Sequence, residues 1–189
     1  ETTKQVSRRR FRTVTERIHE NGAPYGAHTL TARNDGALLL VRHEAVGLWV
    51  LPGGETDGNE SFRAAAERET LEETGIDLSR HGRYLARLSD LITRHHSRWR
   101  PMVVTPYVFE WRGPKAVFPN HEVERVVWVP LDYLAAGENQ SQLPWRTPLG
   151  TLNLPCCHYQ DACIWGLSYS MLQELLALTS EVCMKEPQN

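Results

Sequence analysis

The stretch that decides the fold of this chain is GETDGNESFRAAAERETLEETGI, residues 54–76. Residues 60–74 contain good helix formers and neither glycine nor proline, and Gly75 stands where a helix commonly ends. At about 100° per residue, the apolar positions of this helix form one stripe, as expected for a face that packs on a core: Phe62, Ala65 and Ala66. The same stripe continues towards the C-terminus of the helix through three carboxylates: Glu69, Glu72 and Glu73.

Carboxylates at this spacing repel one another, and burying them without partners would cost several kcal/mol. Either they are protonated or cations lie among them, and hard oxygen donors of this kind suit Mg²⁺ or Mn²⁺. A glutamate cluster on a helix is also typical of a solvated surface. The glutamates by themselves therefore leave both interpretations open.

The whole segment resembles the signature of the Nudix hydrolases, G-x5-E-x7-R-E-U-x-E-E-x-G-U, where U is a bulky apolar residue. Seven fixed positions agree at the same spacing, and only Thr70 departs, because the family prefers an aliphatic residue there. With flanking pieces, the resemblance covers roughly residues 26–135. It implies a metal-dependent enzyme in which water attacks the P–O–P linkage of a nucleotide-like substrate.

The resemblance also implies roles for individual residues. Metal ligands are expected at Glu69, Glu72, Glu73 and a carbonyl of the Gly53 loop, where glycine allows a close approach. Arg68 is expected to orient the carboxylates and to pair with Glu60. Family members often add a distant carboxylate as base or extra ligand; Glu122 fits that place best, and Glu124 is the second candidate.

Elsewhere the pattern predicts strands at 27–32, 37–41, 48–51, 84–92, 102–111 and 123–129. A last helix, capped by Asp161, is predicted to run to Leu178. Strands interleaved with two helices indicate an α+β fold: an α/β/α sandwich of the Nudix type around a mixed sheet. The expected organisation is a polar, basic arm at 1–25, one domain at 26–180 and a tail at 181–189.

The composition excludes several classes of protein. Apolar residues make up 41% and charged residues 23%, which is typical of a globular domain rather than a disordered chain. The net charge of -2 gives no global polycation for nucleic-acid binding, and no apolar run predicts a membrane span. Four cysteines are too few for a disulfide scaffold, and the spacing around Cys156, Cys157, His158 and Cys163 lacks two separated ligand pairs for zinc. Reduced thiols are expected.

The substrate is less well determined. Aromatic and basic side chains are candidates to stack on or pair with a nucleotide: Arg42, Trp49, His95, His96, Trp99 and Arg100. The tail from Leu154 to Leu167 resembles coenzyme A diphosphatases, but the stretch from Arg42 to Pro52 is too short for their basic segment. That compact approach is more usual in branches acting on nucleoside triphosphates, ADP-ribose or nucleotide sugars.

Alternatives remain for partners and location. The basic stretch 94–100 would serve an RNA 5′ end as a phosphate track, and a catalytically silent Nudix domain would bind a nucleotide or a protein. A homodimer is a further expectation. The expected location is intracellular and cytoplasmic, with an organelle as the alternative because the chain begins at Glu1 rather than Met.

Overall fold

The computed structural model describes residues 25–45, 47–94 and 101–183. The strands are β1 Tyr25–Arg33, β2 Ala37–His43, β3 Trp49–Val50, β4 Gly53–Glu55, β5 Gly82–Arg87, β6 Leu91–Arg94, β7 Pro101–Trp111, β8 Val123–Pro130, β9 Gln140–Thr147, β10 Gly150–Tyr159 and β11 Ala162–Trp165. The helices are α1 Phe62–Thr74, α2 Leu78–His81, α3 Leu131–Ala135 and α4 Gly166–Cys183.

The strands form one mixed sheet in the order β5-β7-β1-β2-β3-β11-β10-β9, with β4 paired to β1, β6 to β7 and β8 to β2. The pairs β1–β7 and β3–β11 are parallel, and the other pairs are antiparallel. One core cluster, with Leu39 and Phe109, lies under α1, and a second, with Leu40 and Ile164, lies under α4. The predicted mixed sheet and α+β class are therefore confirmed.

Local sequence accounts for the ends of α1. The Ser61 side chain accepts a hydrogen bond from Ala64 N at 3.2 Å, which satisfies one of the free amides of the first turn. Gly75 adopts φ 73° and donates its N–H to Leu71 O at 2.8 Å. The predicted helix is thus present with the predicted glycine cap.

Thr70, the departure from the family pattern, has a partner in the structure. Its hydroxyl donates to Ala66 O at 2.8 Å and lies 2.8 Å from the hydroxyl of Thr29 on β1. Because its proton is committed to Ala66 O, the Thr29 hydroxyl is the donor between the two. Both side chains are fully buried, so a polar contact joins α1 to the sheet where an aliphatic contact was expected.

The predicted last helix is wrong at its start. Residues 162–165 form β11, which pairs with β10 and β3, and α4 begins only at Gly166 and continues to Cys183. The helical spacing of apolar residues wrongly predicted Ile164 to lie in the helix. Periodicity does not distinguish a short apolar run in a buried strand from part of a helix. The predicted strand 84–92 is likewise two strands, β5 and β6, separated by Leu88–Asp90.

The hairpin of β9 and β10 was missed because most of its side chains are exposed and carry no apolar alternation. The next pairing, of β10 with β11, corrects the expectation about zinc ligands. It brings Cys156, His158 and Cys163 within 4.8 Å of one another, although their spacing along the chain did not indicate a ligand set. The three described cysteines are free.

The division into arm, domain and tail stays a prediction. Residues 1–24 and 184–189 lie outside the described residues, β1 already begins at Tyr25, and α4 extends into the predicted tail. In the described part of the chain, no helix is both long and apolar enough to cross a membrane.

Substitution of Thr70 by valine tests the contact between α1 and the sheet. We expect the free energy of unfolding to fall by about 1–3 kcal/mol, because the Thr29 hydroxyl would remain buried without an acceptor. Urea unfolding measures this. The Thr29→Val/Thr70→Val double variant should be less destabilised than the sum of the single variants; strict additivity would contradict the contact.

Candidate functional site

Two glycines bring the backbone of β4 against α1. Gly53 has φ 149°, and a Cβ there would lie 2.3 Å from Ala27 O. A Cβ on Gly54 would lie 2.6 Å from the carboxylate of Glu69. A side chain at Gly53 would collide with the backbone of β1, so this close approach requires glycine, whereas a side chain at Gly54 would displace the carboxylate of Glu69, a candidate ligand.

Glu73 is the most buried of the glutamates, with 2% of its surface exposed. Its Oε2 accepts a hydrogen bond from Gly53 N at 3.1 Å, and its Oε1 lies 2.9 Å from His43 Nε2 at the end of β2. The bond to Glu73 raises the pKa of His43 above its usual value, and the charges of Glu122 and Glu69 contribute in the same direction. A buried carboxylate is thereby held between a backbone amide and an imidazole.

Arg68 connects the remaining carboxylates. Its guanidinium donates to Glu60 Oε1 at 2.8 Å, to Glu69 Oε1 at 2.9 Å and to Glu72 Oε2 at 3.2 Å. It also donates to the carbonyl of Glu55 at 3.1 Å. The expected pairing with Glu60 is present, and this hydrogen bond raises the pKa of Arg68 above its usual value.

Glu69 lies in an unfavourable environment for its charge. Burial raises the pKa of this carboxyl, and the charges of Glu73 and Glu72 raise it further, although Arg68 opposes the shift. The side chain of Glu72, in contrast, is 54% exposed, so this residue lies at the margin of the inward-facing stripe that the sequence predicted. A divalent cation beside Glu69 would favour the ionised form.

The donor set fits a hard cation. Glu69, Glu72 and Glu73 offer carboxylate oxygens next to the carbonyls of the glycine loop, and these are the ligands preferred by Mg²⁺ and Mn²⁺. In the described arrangement, hydrogen bonds with Arg68 and His43 occupy these carboxylates. A bound cation would therefore compete with Arg68 and His43.

Two histidines in this region were not singled out from the sequence. His43 follows from no motif, and only the pairing of β2 with its neighbours places it beside Glu73. His28, on β1, donates its Nδ1–H to Leu51 O at 3.1 Å, and burial lowers the pKa of its imidazole. The sequence could have indicated these histidines only through their strand positions relative to Gly53. Those positions depend on the register of the sheet, which the sequence does not show.

The two candidates for a distant carboxylate occupy different surroundings. Glu124 forms an ion pair with Arg42. Glu122 is exposed, its carbonyl accepts from Glu44 N at 2.8 Å, and its charge acts on His43. Of the two, Glu122 is therefore the carboxylate whose charge acts on the glutamate cluster through His43, whereas Glu124 is paired with Arg42.

The predicted substrate residues are divided. His95, His96, Trp99 and Arg100 lie outside the described residues. Trp49 is only 4% exposed and belongs to the core cluster under α4, and Arg42, which alternates with His43 along β2, lies opposite Trp49 in the pairing. Both line a cavity of about 450 Å³, named here the tryptophan cavity, together with Trp145 and Trp165.

A different cavity of about 630 Å³ adjoins the loop between β4 and α1. We call it the aromatic cleft; its walls include Tyr25, Glu60, Phe62, Arg63, Tyr84 and Tyr107. Tyr25 stacks on Phe62 at 4.9 Å between ring centroids, and the Arg63 guanidinium lies 5.4 Å from the Tyr84 ring. Glu60 belongs both to this cleft and to the Arg68 network, so the two features are contiguous.

The raised pKa of His43 predicts a pH-dependent contribution to stability in metal-free protein. The His43–Glu73 pair stabilises the fold fully below the unfolded-state pKa of about 6.5, and this stabilisation is lost as pH rises through the higher folded-state pKa. With a chelator present, His43→Gln should therefore be more destabilising at about pH 5.5 than at about pH 9 in urea unfolding. His121→Gln, at an exposed loop position, is the control; an equal cost at both pH values for His43→Gln would contradict the pairing.

Both the sequence and the structure of this chain match known proteins. The sequence matches the NUDIX domain over residues 24–146. A Bacillus subtilis (strain 168) protein provisionally named 8-oxo-dGTP diphosphatase is 48% identical over 52 residues, which is 28% of this chain and 35% of that protein. A MutT-like protein of Streptomyces ambofaciens is 43% identical over 47 residues, 25% of this chain and 30% of that protein. The matches thus span about a third of the length of these relatives.

Among solved structures, a binary complex of the C. elegans Ap4A hydrolase superposes with a TM-score of 0.59 at 18% identity, covering 84% of this chain and 99% of that one. A MutT Nudix hydrolase from Burkholderia pseudomallei superposes with a TM-score of 0.56 at 19% identity, covering 81% and 98%. At these identities the superpositions show the fold alone. Because the domain match covers most of the chain and includes the glycine loop and all the glutamates of α1, this chain belongs to the Nudix hydrolase superfamily.

Proposed function

We propose that this chain is a pyrophosphohydrolase that uses Mg²⁺ or Mn²⁺ to cleave the diphosphate linkage of a nucleoside triphosphate. The observation that carries the proposal is the glycine loop against α1: Gly53 N donates to Glu73, Gly54 lies against the Glu69 carboxylate, and Arg68 joins Glu69 to Glu72. Carboxylates that are buried beside one another favour a cation, and a bound cation attracts the charge of a diphosphate.

The residues of the chain would divide the chemistry among them. Glu69, Glu72 and Glu73, with a carbonyl at Gly53, would hold the metal, which neutralises phosphate charge and makes water a better nucleophile. Arg68 keeps Glu69 and Glu72 aligned through its guanidinium, so it acts as a positioning residue. Glu122 would accept the proton of the attacking water as the new P–O bond forms and the bond to the leaving phosphate breaks.

The aromatic cleft supports a nucleoside as the group attached to the diphosphate. Its volume of about 630 Å³ lies within the usual range of small-molecule sites, and its rings provide faces on which a base can stack. It shares Glu60 with the carboxylate network, so phosphates reaching from the cleft would meet the metal ligands. The partial match to a relative provisionally named for 8-oxo-dGTP favours nucleoside triphosphates over ADP-ribose, nucleotide sugars and coenzyme A.

The other predicted partners have less support. Action on an RNA 5′ end depends on residues 95–100, which lie outside the described residues, and the homodimer has no observation in its favour. Arg42 and Trp49 stay predictions as substrate contacts, because they line the tryptophan cavity and not the aromatic cleft. A silent nucleotide-binding domain is the remaining alternative, and a turnover assay distinguishes it.

Glu72→Gln tests the metal ligands with little risk to folding, because this side chain is 54% exposed. We expect metal-dependent turnover of nucleoside triphosphates to fall on the order of a hundredfold or more, since a ligand charge is lost beside the reacting phosphate. Glu73→Gln should have the same effect. Glu67→Gln is the matched control, because Glu67 lies on the same helix and pairs with Arg63 at 3.4 Å instead.

The assay should compare Mg²⁺ with Mn²⁺ and identify products by mass. Substrates should include nucleoside triphosphates, 8-oxo-dGTP, ADP-ribose, sugar nucleotides, dinucleoside polyphosphates, coenzyme A and 5′-triphosphate RNA. Undiminished turnover in both Glu72→Gln and Glu73→Gln would refute the proposed metal site. Absence of turnover on every substrate, with nucleotide binding retained, would favour the silent alternative.

Tyr84→Ala tests the aromatic cleft as the nucleoside site. Because Tyr84 is 43% exposed and stacking on a base contributes about 1–3 kcal/mol, KM should rise about tenfold while kcat changes little. The matched control is Trp145→Ala, a 47% exposed aromatic in the tryptophan cavity. A rise in KM for Trp145→Ala alone would place the nucleoside in the tryptophan cavity and overturn the assignment.

A further inference from the structure

The hairpin of β10 and β11 carries a second group of metal-ligating side chains, remote in the sequence from the glutamates of α1. His158 lies opposite Cys163 in the pairing, and Cys156, two residues before His158, projects from the same face of the strand. The ligand atoms of the three side chains lie within 4.8 Å of one another. Cys157, between them, faces the opposite way into the core cluster under α4.

The distances suit a tetrahedral zinc ion. Zn–S bonds of about 2.3 Å and Zn–N bonds of about 2.0 Å at a tetrahedral angle separate sulfur from nitrogen by about 3.5 Å. Cys156 Sγ and His158 Nε2 are 3.6 Å apart. Cys163 completes a set of two sulfurs and one nitrogen. Small rotations of the side chains would bring these three atoms to bonding distance of one ion.

We propose that Cys156, His158 and Cys163 form a site for a borderline-soft divalent cation of the zinc class, separate from the Mg²⁺ or Mn²⁺ site on α1. Thiolate and imidazole ligands select such ions, whereas the carboxylates of α1 select hard ones. On binding, each cysteine thiol releases its proton to solvent and its sulfur bonds to the ion. No change of oxidation state is involved.

The exposure of the three residues gives the ion a route and an open position. Cys156 is buried, Cys163 is partly buried and His158 is exposed, so the set reaches from the interior to solvent. Cys163 also lines the tryptophan cavity of about 450 Å³. With three ligands from the protein, the fourth position is left for water or a small group entering from that cavity.

A bound ion would connect two strands just before α4. Cys156 and His158 belong to β10, Cys163 belongs to β11, and α4 begins at Gly166. The ion would therefore restrain the hairpin that leads into the helix covering one face of the sheet. Because it binds only the folded arrangement, it would raise the thermal stability of the chain.

Cobalt substitution tests the site in the full chain. Protein kept reduced with a phosphine and saturated with Mg²⁺ should bind one Co²⁺, with a thiolate-to-cobalt charge-transfer absorption that equimolar Zn²⁺ abolishes. Saturating Mg²⁺ occupies the carboxylates, and carboxylates produce no such absorption. Zinc at about a hundred times its Kd should raise Tm by about 5–10 °C.

The variants use the more accessible ligands, because substitution of buried Cys156 would also disturb packing. Cys163→Ser should abolish the thiolate absorption, and His158→Ala should weaken Co²⁺ affinity at least about tenfold. Cys157→Ala is the matched control, because alanine removes the neighbouring thiol without burying a hydroxyl, and it should retain both the absorption and the zinc-dependent rise in Tm. Circular dichroism verifies that each variant is folded.

Three outcomes would overturn the proposal. One is the absence of thiolate absorption in the reduced wild-type chain. Another is absorption that persists in folded Cys163→Ser, which would assign the ion to other thiols. The third is a Cys156–Cys163 disulfide, seen by mass as the loss of two hydrogens, that cannot be converted by reduction into a zinc-binding form.

Discussion

Electrostatic repulsion among the glutamates at the end of α1 is the constraint that the neighbouring groups of the loop, the helix and β2 offset. Burial raises the pKa of Glu69, and the charges of the neighbouring Glu73 and Glu72 raise it further. Arg68 offsets one part of this repulsion, and His43 with the Gly53 amide offsets the other. In the metal-free arrangement the glutamates are thus stabilised by groups with which a cation would compete.

The backbone of the glycine loop adds a steric constraint to this electrostatic one. A Cβ at Gly53 would collide with β1, and one at Gly54 would collide with the Glu69 carboxylate. Gly53 therefore lets the loop lie close against β1, and the buried Thr29–Thr70 hydrogen bond joins the helix to the same strand. Backbone conformation and packing therefore bring the carboxylates to the loop, and the aromatic cleft opens beside them.

Two distant regions of the sheet carry two kinds of chemistry. On the α1 side lie hard oxygen donors next to a cleft with aromatic walls, which is why the proposed reaction and substrate are placed there. At the other end of the sheet, the β10–β11 hairpin gathers two sulfurs and an imidazole beside the tryptophan cavity. Ligand softness keeps the two sites chemically distinct, because ions that prefer carboxylates bind thiolates weakly.

Local signals were sufficient for α1, its Gly75 cap and the cluster of glutamates, since helix propensity and spacing act within a few residues. They failed where pairing between distant segments decides the structure. Residues 162–165 are a strand because β3 and β10 flank them, His43 meets Glu73 through the position of β2, and Cys163 meets Cys156 only across a hairpin. The sequence by itself determined the family and the positions of the glutamates on α1; tertiary structure decided the histidine partner, the aromatic cleft and the sulfur-nitrogen cluster, because strand register brings together residues that no local pattern relates.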